Sequence, residues 1–174
     1  MPQVILIGLP GAGKSTVARA LSKITGLSVT DTDQVIESRA GKKISEIFSI
    51  DGEAAFRALE SQIVQEELAR ESGVLALGGG SIVDPVNQGL IAESGAAIIY
   101  LEISGFQASV RVGKHSDRPM LVGDAREKLA RLATERSPIY QSLATITVKT
   151  DSKKPSEVAL EIARLTGLEA LSHG

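Results

Sequence analysis

The sequence predicts an α/β sandwich built on a parallel β-sheet. Five short runs of nearly continuous apolar residues recur along the chain, which is typical of parallel strands that are buried on both faces. Stretches with helical spacing separate these runs, and an alternation of strands with helices indicates a parallel sheet. The length of 174 residues and the hydrophobic content of 43% suit one domain with a full core.

The predicted elements follow one another in a regular order. A strand at 3–7 leads through a glycine-rich turn into a helix that opens at Thr16. The clearest helix covers 53–71, where Phe56 and Ile63 belong to a set of apolar residues that recur near helical spacing. The other predicted strands are 27–30, 74–77, 96–101 and 144–148, and the other predicted helices are 85–94, 104–112, 124–136 and 155–165.

The composition excludes several classes of function. The chain has no cysteine, which rules out a disulfide scaffold and a thiolate metal site. A net charge of −2 and an aromatic content of 3% give no reason to expect a nucleic-acid partner. The apolar run at the N-terminus is too short for a signal peptide or a membrane span. We therefore expect a cytoplasmic protein that acts on small molecules without a membrane partner.

Residues 8–15 spell the phosphate-binding loop G-x-x-x-x-G-K-S between a predicted strand and a predicted helix. The backbone N–H groups of such a loop wrap phosphate oxygens at a helix N-terminus, which favours negative charge. Lys14 would reach the β- and γ-phosphates and the Ser15 hydroxyl would hold Mg²⁺. A glycine-rich turn that binds nothing is the alternative. The motif predicts a nucleoside triphosphate site made by Gly11, Ala12, Gly13, Lys14, Ser15 and Thr16.

Two aspartates follow the second predicted strand in the run Asp31-Thr32-Asp33. If the chain is still extended there, both carboxylates point the same way, because side chains alternate along a strand. Asp31 could then help hold Mg²⁺ through water, while Asp33 accepts a hydrogen bond from a substrate hydroxyl. The alternative is a helix N-cap with an acidic first turn. Local sequence leaves both interpretations open.

Three consecutive glycines, Gly78, Gly79 and Gly80, close the third predicted strand. In open α/β sheets ligands gather at the carboxyl ends of the strands. Glycines at such an end would let a ligand approach the backbone closely, because no Cβ stands in the way. An ordinary turn is the alternative, and the position of the glycines matters more than their number.

Two arginines are candidates for gripping a carboxylate. Arg57 and Glu60 stand at i, i+3 on one helix, and this spacing alone favours a solvent-exposed salt bridge of small value. Alternatively, Glu60 fixes the Arg57 guanidinium for bidentate binding. Arg136 is predicted to end a helix before Pro138, where it would either complement the helix dipole or serve as a second grip.

The basic, glycine-bearing stretch 111–123 is a candidate lid. In that interpretation Arg118 would come over the γ-phosphate and neutralise charge in a phosphoryl-transfer transition state. A mobile surface loop is the alternative. We expect His115 to face solvent rather than to act in catalysis.

Taken together, these motifs resemble the shikimate kinase family. The resemblance rests on GLPGAGKST, DTD, FRALE, LALGGG, the RPM lid motif and ERSPIY, which occur in this order over essentially the whole chain. It implies a three-layer P-loop NTPase fold with a five-stranded parallel sheet of order 2-3-1-4-5. It also implies a single domain, 1–174, with a substrate-binding region at about 33–57, a lid at about 112–124 and a monomeric state.

The resemblance also implies an activity and residue roles. The family transfers a phosphoryl group from ATP to the 3-hydroxyl of shikimate, a step of aromatic amino-acid biosynthesis, with Mg²⁺. Lys14, Asp33 and Arg118 would be catalytic, and Ser15 and Asp31 would serve the metal. Shikimate would be bound by Asp33, Arg57, Gly78, Gly79, Gly80 and Arg136, while Arg111, Lys153 and Pro155 would flank the adenine and Arg118 would contact the transferred phosphate.

Two other functions use the same loop. A related kinase could phosphorylate gluconate or a nucleoside monophosphate, although a nucleotide acceptor would need a pocket for its base. A nucleotide-binding switch would bind ATP without phosphorylating a metabolite, but it has no use for a carboxylate-binding pocket. The set of Asp33, Arg57 and Arg136 therefore favours the shikimate kinase interpretation.

Overall fold

The computed structural model describes residues 1–104, 107, 122–169 and 171, and the fold is that of these residues. Its strands form one five-stranded sheet of order β2-β3-β1-β4-β5, and every neighbouring pair is parallel. The predicted α/β fold and strand order are confirmed. The strands are β1 (Pro2–Ile7), β2 (Val29–Asp31), β3 (Ser72–Ala76), β4 (Ala97–Glu102) and β5 (Ile146–Lys149).

The helices of the described ranges alternate with these strands. None of them combines the length and the apolar character that a membrane span requires. A π-helical turn at Ile47–Asp51 and a 3₁₀ turn at Ser81–Val83 join longer elements. The helices are α1 (Lys14–Thr25), α2 (Thr32–Ala40), α3 (Ile44–Glu46), α4 (Glu53–Ala69), α5 (Pro85–Glu93), α6 (Val122–Leu143) and α7 (Pro155–Thr166).

The hydrophobic core surrounds β1, the central strand of the sheet. The segment 4–7 of this strand is fully buried, as the continuous apolar run predicts for a strand covered on both faces. Helices α1 and α7 pack against each other, and α5 packs against both α4 and α6. A smaller cluster of Ile36, Ile47, Phe56 and Ile63 joins α2 and the π-helical turn to α4. This second cluster fixes the elements that carry the predicted acceptor residues.

All parallel strands of the sheet end at the same edge, and the motifs meet there. The phosphate loop follows β1, Asp33 follows β2 and the three glycines follow β3 closely. Because β3 lies between β1 and β2, the glycines stand between the other two motifs. The hydrogen bond from Leu77 N to Leu6 O, 3.1 Å, continues the pairing of β1 with β3 up to this edge.

Helix α6 continues where a helix end is predicted. It runs through Pro138 to Leu143, so the prediction that the helix ends at Arg136 is wrong. Proline has no N–H to give to the carbonyl of Thr134, which weakens the helix at this point. Tyr140 lies beyond the proline and stacks on Tyr100 with ring centroids 5.1 Å apart. Tertiary packing therefore carries the helix past its local stop signal.

Candidate active site

A cleft of about 720 Å³ opens at the carboxyl edge of the sheet. The phosphate loop forms one wall, and Asp33 and Gly79 stand beside it. Lys153 and Pro155, at the start of α7, line the same cleft. The structure thus brings the predicted phosphate-binding residues, Lys153 and Pro155 to one cavity with two of the six predicted acceptor residues, Asp33 and Gly79. The other four, Arg57, Gly78, Gly80 and Arg136, are not among its lining residues. The predicted nucleotide residues among the lining are Gly11, Ala12, Gly13, Lys14, Ser15, Thr16, Lys153 and Pro155.

The phosphate loop delivers the N-terminus of α1 to this cleft. Gly13 precedes the helix with a φ of 87°, in the left-handed region that favours glycine. Within the described chain no side chain caps α1. The first N–H groups of the helix, together with its dipole, therefore make a site for an anion.

The Lys14 ammonium folds back onto the loop that carries it. Its Nζ donates to Gly8 O at 2.7 Å and to Leu9 O at 2.8 Å. Burial lowers the pKa of Lys14 to about 8, and the nearby carboxylates of Asp33 and Asp31 oppose this effect. The two hydrogen bonds thus hold the ammonium on the loop, partly removed from water. A bound triphosphate would place negative charge opposite it.

Asp31 has two roles at the end of β2. Its Oδ1 accepts from Asp33 N at 2.9 Å and from Gln34 N at 3.4 Å, which caps α2. Its Oδ2 accepts from the Ser15 hydroxyl. The expectation of an extended Asp31–Asp33 segment is wrong, because these hydrogen bonds start the helix at Thr32. Both interpretations of Asp31 therefore apply at once: Oδ1 caps the helix and Oδ2 lies at Ser15.

Asp33 lies in the first turn of α2 with its carboxylate against the glycines. A Cβ added at Gly78 would lie 2.6 Å from Asp33 Oδ1. Burial raises the pKa of Asp33, the charge of Asp31 adds to this, and Lys14 opposes it. A carboxylate with a raised pKa is a better proton acceptor, and Asp33 is placed in the cleft where it could serve.

Thr32 ties the aspartates to the glycines, a role that sequence reasoning missed. Its side chain is fully buried, and its hydroxyl accepts from Gly78 N at 3.0 Å. It also points at Ala76 O, 3.5 Å away. The threonine between the two aspartates thus holds the ends of β2 and β3 together. No local pattern distinguishes it from an ordinary helix N1 residue.

Arg57 and Glu60 form an ion pair in which the glutamate is buried and the arginine is partly exposed, so the interpretation as a pair that lies fully in solvent is wrong. Arg57 Nη1 lies 2.7 Å from Glu60 Oε1, and Glu60 is only 2% exposed. Burial raises the pKa of Glu60, against the effect of its hydrogen bond to Arg57. One signal could have revealed this burial. Counted from Phe56, Glu60 stands at i+4 and Ile63 at i+7, so Glu60 lies on the buried stripe of α4.

The absence of side chains at the three glycines leaves room for neighbouring protein groups as well as for a ligand. A Cβ added at Gly80 would lie 2.7 Å from Arg57 Nη2 and 2.8 Å from Arg57 Cζ. A Cβ at Gly79 would lie 2.9 Å from Pro10 Cδ, on the phosphate loop. The absence of side chains at these positions therefore lets the Arg57 guanidinium and the phosphate loop close around the triplet.

Arg136 completes the charged cluster from α6. It lies near Tyr140, and its charge lowers the pKa of Tyr140, of Lys14 and of Glu60. Since α6 continues for seven residues beyond Arg136, to Leu143, the interpretation of Arg136 as a charge at the helix C-terminus is wrong. Two arginines from different helices, Arg57 and Arg136, thus act on Glu60, and each guanidinium has the planar fork that binds a carboxylate bidentately.

Some of the predicted site lies outside the described residues. This applies to Arg111, Arg118, His115 and most of the predicted lid at about 112–124. The predicted helix at 104–112 also lies largely outside them. Lys153, in the cleft, is paired with Glu161 of α7 at 3.0 Å.

Comparisons with known proteins agree with this geometry. The family model described as shikimate kinase matches residues 10–166. A shikimate kinase of Thermobifida fusca is 50% identical, with 94% of each chain covered, and one of Mycobacterium avium is 44% identical, with 97% of this chain and 96% of the relative covered. The solved structure of shikimate kinase from Acinetobacter baumannii in complex with shikimate has a TM-score of 0.87 and 32% identity, and covers 95% of this chain and 92% of that one. The chain belongs to the shikimate kinase family.

Proposed function

We propose that this protein transfers the γ-phosphoryl group of ATP to the 3-hydroxyl of shikimate, which yields shikimate 3-phosphate and ADP. The observation that carries the proposal is the single cleft that joins a phosphate loop to the acceptor residues Asp33 and Gly79. Family membership supports both substrates. The reaction is a step in the biosynthesis of aromatic amino acids.

The acceptor cluster suits the chemistry of shikimate, which carries one carboxylate and three hydroxyls. Arg57 and Arg136 grip the carboxylate, and Glu60 holds the Arg57 guanidinium in a fixed orientation through the 2.7 Å pair. Asp33 accepts a hydrogen bond from a hydroxyl. The backbone of Gly78, Gly79 and Gly80 forms the floor under the ring of the substrate.

Transfer follows from placing the hydroxyl in line with the γ-phosphorus. The hydroxyl oxygen attacks phosphorus, the bond to the oxygen that bridges the β- and γ-phosphates breaks, and ADP leaves with that electron pair. Asp33 takes the hydroxyl proton, although a loose transition state asks little of a base. Lys14 turns from the carbonyls of its loop to the phosphates and, with Arg118, neutralises the developing charge.

Ser15 and Asp31 fit a magnesium site. Both present hard oxygen donors to one point, where the Ser15 hydroxyl already meets the Asp31 carboxylate. In the described residues no three His, Cys, Asp or Glu side chains could hold a metal by themselves. This suits Mg²⁺, which keeps several waters and takes further ligands from phosphate oxygens. When bound, the ion would neutralise charge on the β- and γ-phosphates.

The remaining roles complete the nucleotide site. Lys153 and Pro155, which line the cleft at the start of α7, flank the adenine. The resemblance to the family implies that Arg111 stacks on the base from the opposite side. Closure of the lid at about 112–124 keeps water from the γ-phosphate, which would otherwise be hydrolysed. We further propose that the enzyme works as a cytoplasmic monomer without nucleic-acid or membrane partners.

An acceptor panel tests this function. ADP release is measured with ATP, Mg²⁺ and either shikimate, gluconate or each nucleoside monophosphate. We expect turnover with shikimate alone. Turnover with another acceptor and none with shikimate would favour the related kinases. Tight ATP binding with no acceptor-stimulated turnover would instead identify a nucleotide switch.

A further inference from the structure

We propose that Tyr140 is a positioning residue for the acceptor site, which holds the Arg136 guanidinium in register with the backbone of Gly79. This inference rests on the proposed function, because it assigns the grip on the substrate carboxylate to Arg136. Tyr140 itself would touch neither substrate. It acts through the arginine that does.

The Tyr140 hydroxyl joins two parts of the site. It donates to Gly79 O at 2.6 Å, and the Arg136 side chain lies close enough for its charge to lower the pKa of the phenol. Arg136 and Tyr140 lie at i, i+4 on α6 and so share one face of the helix. The phenol oxygen is therefore bound to the peptide that closes β3 and lies beside the guanidinium on α6.

Each end of this connection is fixed by packing. Tyr140 is 0% exposed and stacks on Tyr100 of β4, with ring planes 27° apart. Gly79 lies against the phosphate loop, since a Cβ there would come within 2.9 Å of Pro10 Cδ and 3.2 Å of Gly8 O. The phenol thus fixes the position of Arg136 relative to the loop that holds the phosphate donor.

Helix α6 needs such an anchor at this place. Pro138 removes the hydrogen bond that would tie this turn to the carbonyl of Thr134, so the ladder of the helix does not fix Arg136 by itself. The Tyr140 anchor lies two residues after this break and supplies tertiary contacts in its place. Burial raises the pKa of Tyr140 to about 12, which keeps the phenol a hydrogen-bond donor at any physiological pH.

The test compares two variants that each remove one buried phenol oxygen. Tyr140→Phe removes the hydroxyl that binds Gly79 O and lies beside Arg136, while the control Tyr100→Phe removes a hydroxyl that lies beside Ser137. We expect Tyr140→Phe to raise the KM for shikimate about tenfold and to leave the KM for ATP within about twofold. Tyr100→Phe should leave both KM values within about twofold. Thermal unfolding checks that both variants are folded.

A double-mutant cycle separates positioning from general damage. On an Arg136→Ala background, Tyr140→Phe should change kcat/KM for shikimate by less than about twofold, because the group that it positions is gone. A full tenfold loss on that background would overturn the proposal. So would a wild-type KM for shikimate in Tyr140→Phe, or equal increases in the KM values of both substrates.

Two further arms keep the test decisive. If Tyr140→Phe does not fold, 4-fluorophenylalanine at this position fills the volume of the oxygen without an O–H donor, and the same KM comparison applies. Wild-type turnover with shikimate is measured first. Its absence would refute the proposed function, whereas wild-type turnover with an unaffected Tyr140→Phe variant would refute only the role of Tyr140.

Discussion

The donor half and the acceptor half of the cleft are built in different ways. The donor half is contiguous: residues 8–16 form a loop and the first turn of α1, and their backbone groups do much of the binding. The acceptor half is assembled from side chains on α2, α4 and α6, with Asp33, Arg57 and Arg136 as its charged groups. A contiguous backbone site can be specified by local sequence, whereas a dispersed site depends on the packing of whole helices.

The two halves also handle charge differently. In the phosphate loop of the donor half, burial lowers the pKa of Lys14 to about 8, and an anion bound there would oppose this effect. The acceptor half balances buried carboxylates against arginines, as in the pair of Arg57 with Glu60, which is nine-tenths or more buried on the glutamate side. Breaking a buried pair leaves an uncompensated charge, so the acceptor half should respond to changes at residues that touch no substrate.

The largest expected effect is in the donor half. Lys14→Ala removes the cation that neutralises the transferred phosphoryl group and should lower kcat by about a thousandfold or more with the fold intact. Steady-state ADP release and thermal unfolding measure the two properties. Lys23→Ala is the matched control, because this exposed lysine lies in the last turn of the same helix. Near-full activity in Lys14→Ala would contradict the assignment of the phosphate loop.

A smaller effect on activity is expected in the acceptor half when a glycine of the triplet receives a Cβ. At Gly80 an added Cβ meets the Arg57 guanidinium, the flexible end of a long side chain, so Gly80→Ala should displace the arginine at little cost in stability. We expect the KM for shikimate to rise about tenfold to a hundredfold, while the KM for ATP stays within about twofold.

The control for Gly80→Ala is a glycine with open surroundings. A Cβ at Gly89 of α5 meets nothing within 4 Å, so Gly89→Ala should raise the free energy of unfolding by about 0.5–1 kcal/mol and leave both KM values unchanged. Denaturant unfolding and steady-state kinetics of the two variants make the comparison. Equal KM values for shikimate in the two variants would show that the position of Arg57 over Gly80 does not contribute to shikimate binding.

The smallest effect is the pH dependence of ATP binding. The pKa of Lys14 is about 8 in the free protein, and the negative triphosphate should raise it, so the complex keeps a proton that the free protein loses. Affinity is therefore full below pH 8 and falls as the pH rises through 8, by about fourfold between pH 7 and pH 8.5. Titration calorimetry at several pH values measures this. In Lys14→Arg the slope should vanish, since a guanidinium does not titrate there; an unchanged slope would assign the proton elsewhere.

The same contrast separates what sequence reasoning reached from what it missed. The phosphate loop and the order of strands and helices follow from local patterns, and the observed sheet agrees with them. Spacing alone took Arg57 and Glu60 for an exposed pair, although Glu60 lies on the apolar stripe of α4. Pro138 indicated a helix end that the packing of Tyr140 overrides. At Pro138 a long-range contact outweighed a local preference of about 3 kcal/mol.

By itself, the sequence determined the donor site, because a glycine-rich loop between a strand and a helix positions its own N–H groups through local backbone geometry. It also determined the class of fold, through the periodicity of its apolar residues. Only the tertiary structure decided that the second oxygen of Asp31 meets the Ser15 hydroxyl and that the Tyr140 hydroxyl binds Gly79 O. These two contacts join residues far apart in the chain, and their energies exist only once the sheet has brought those residues together.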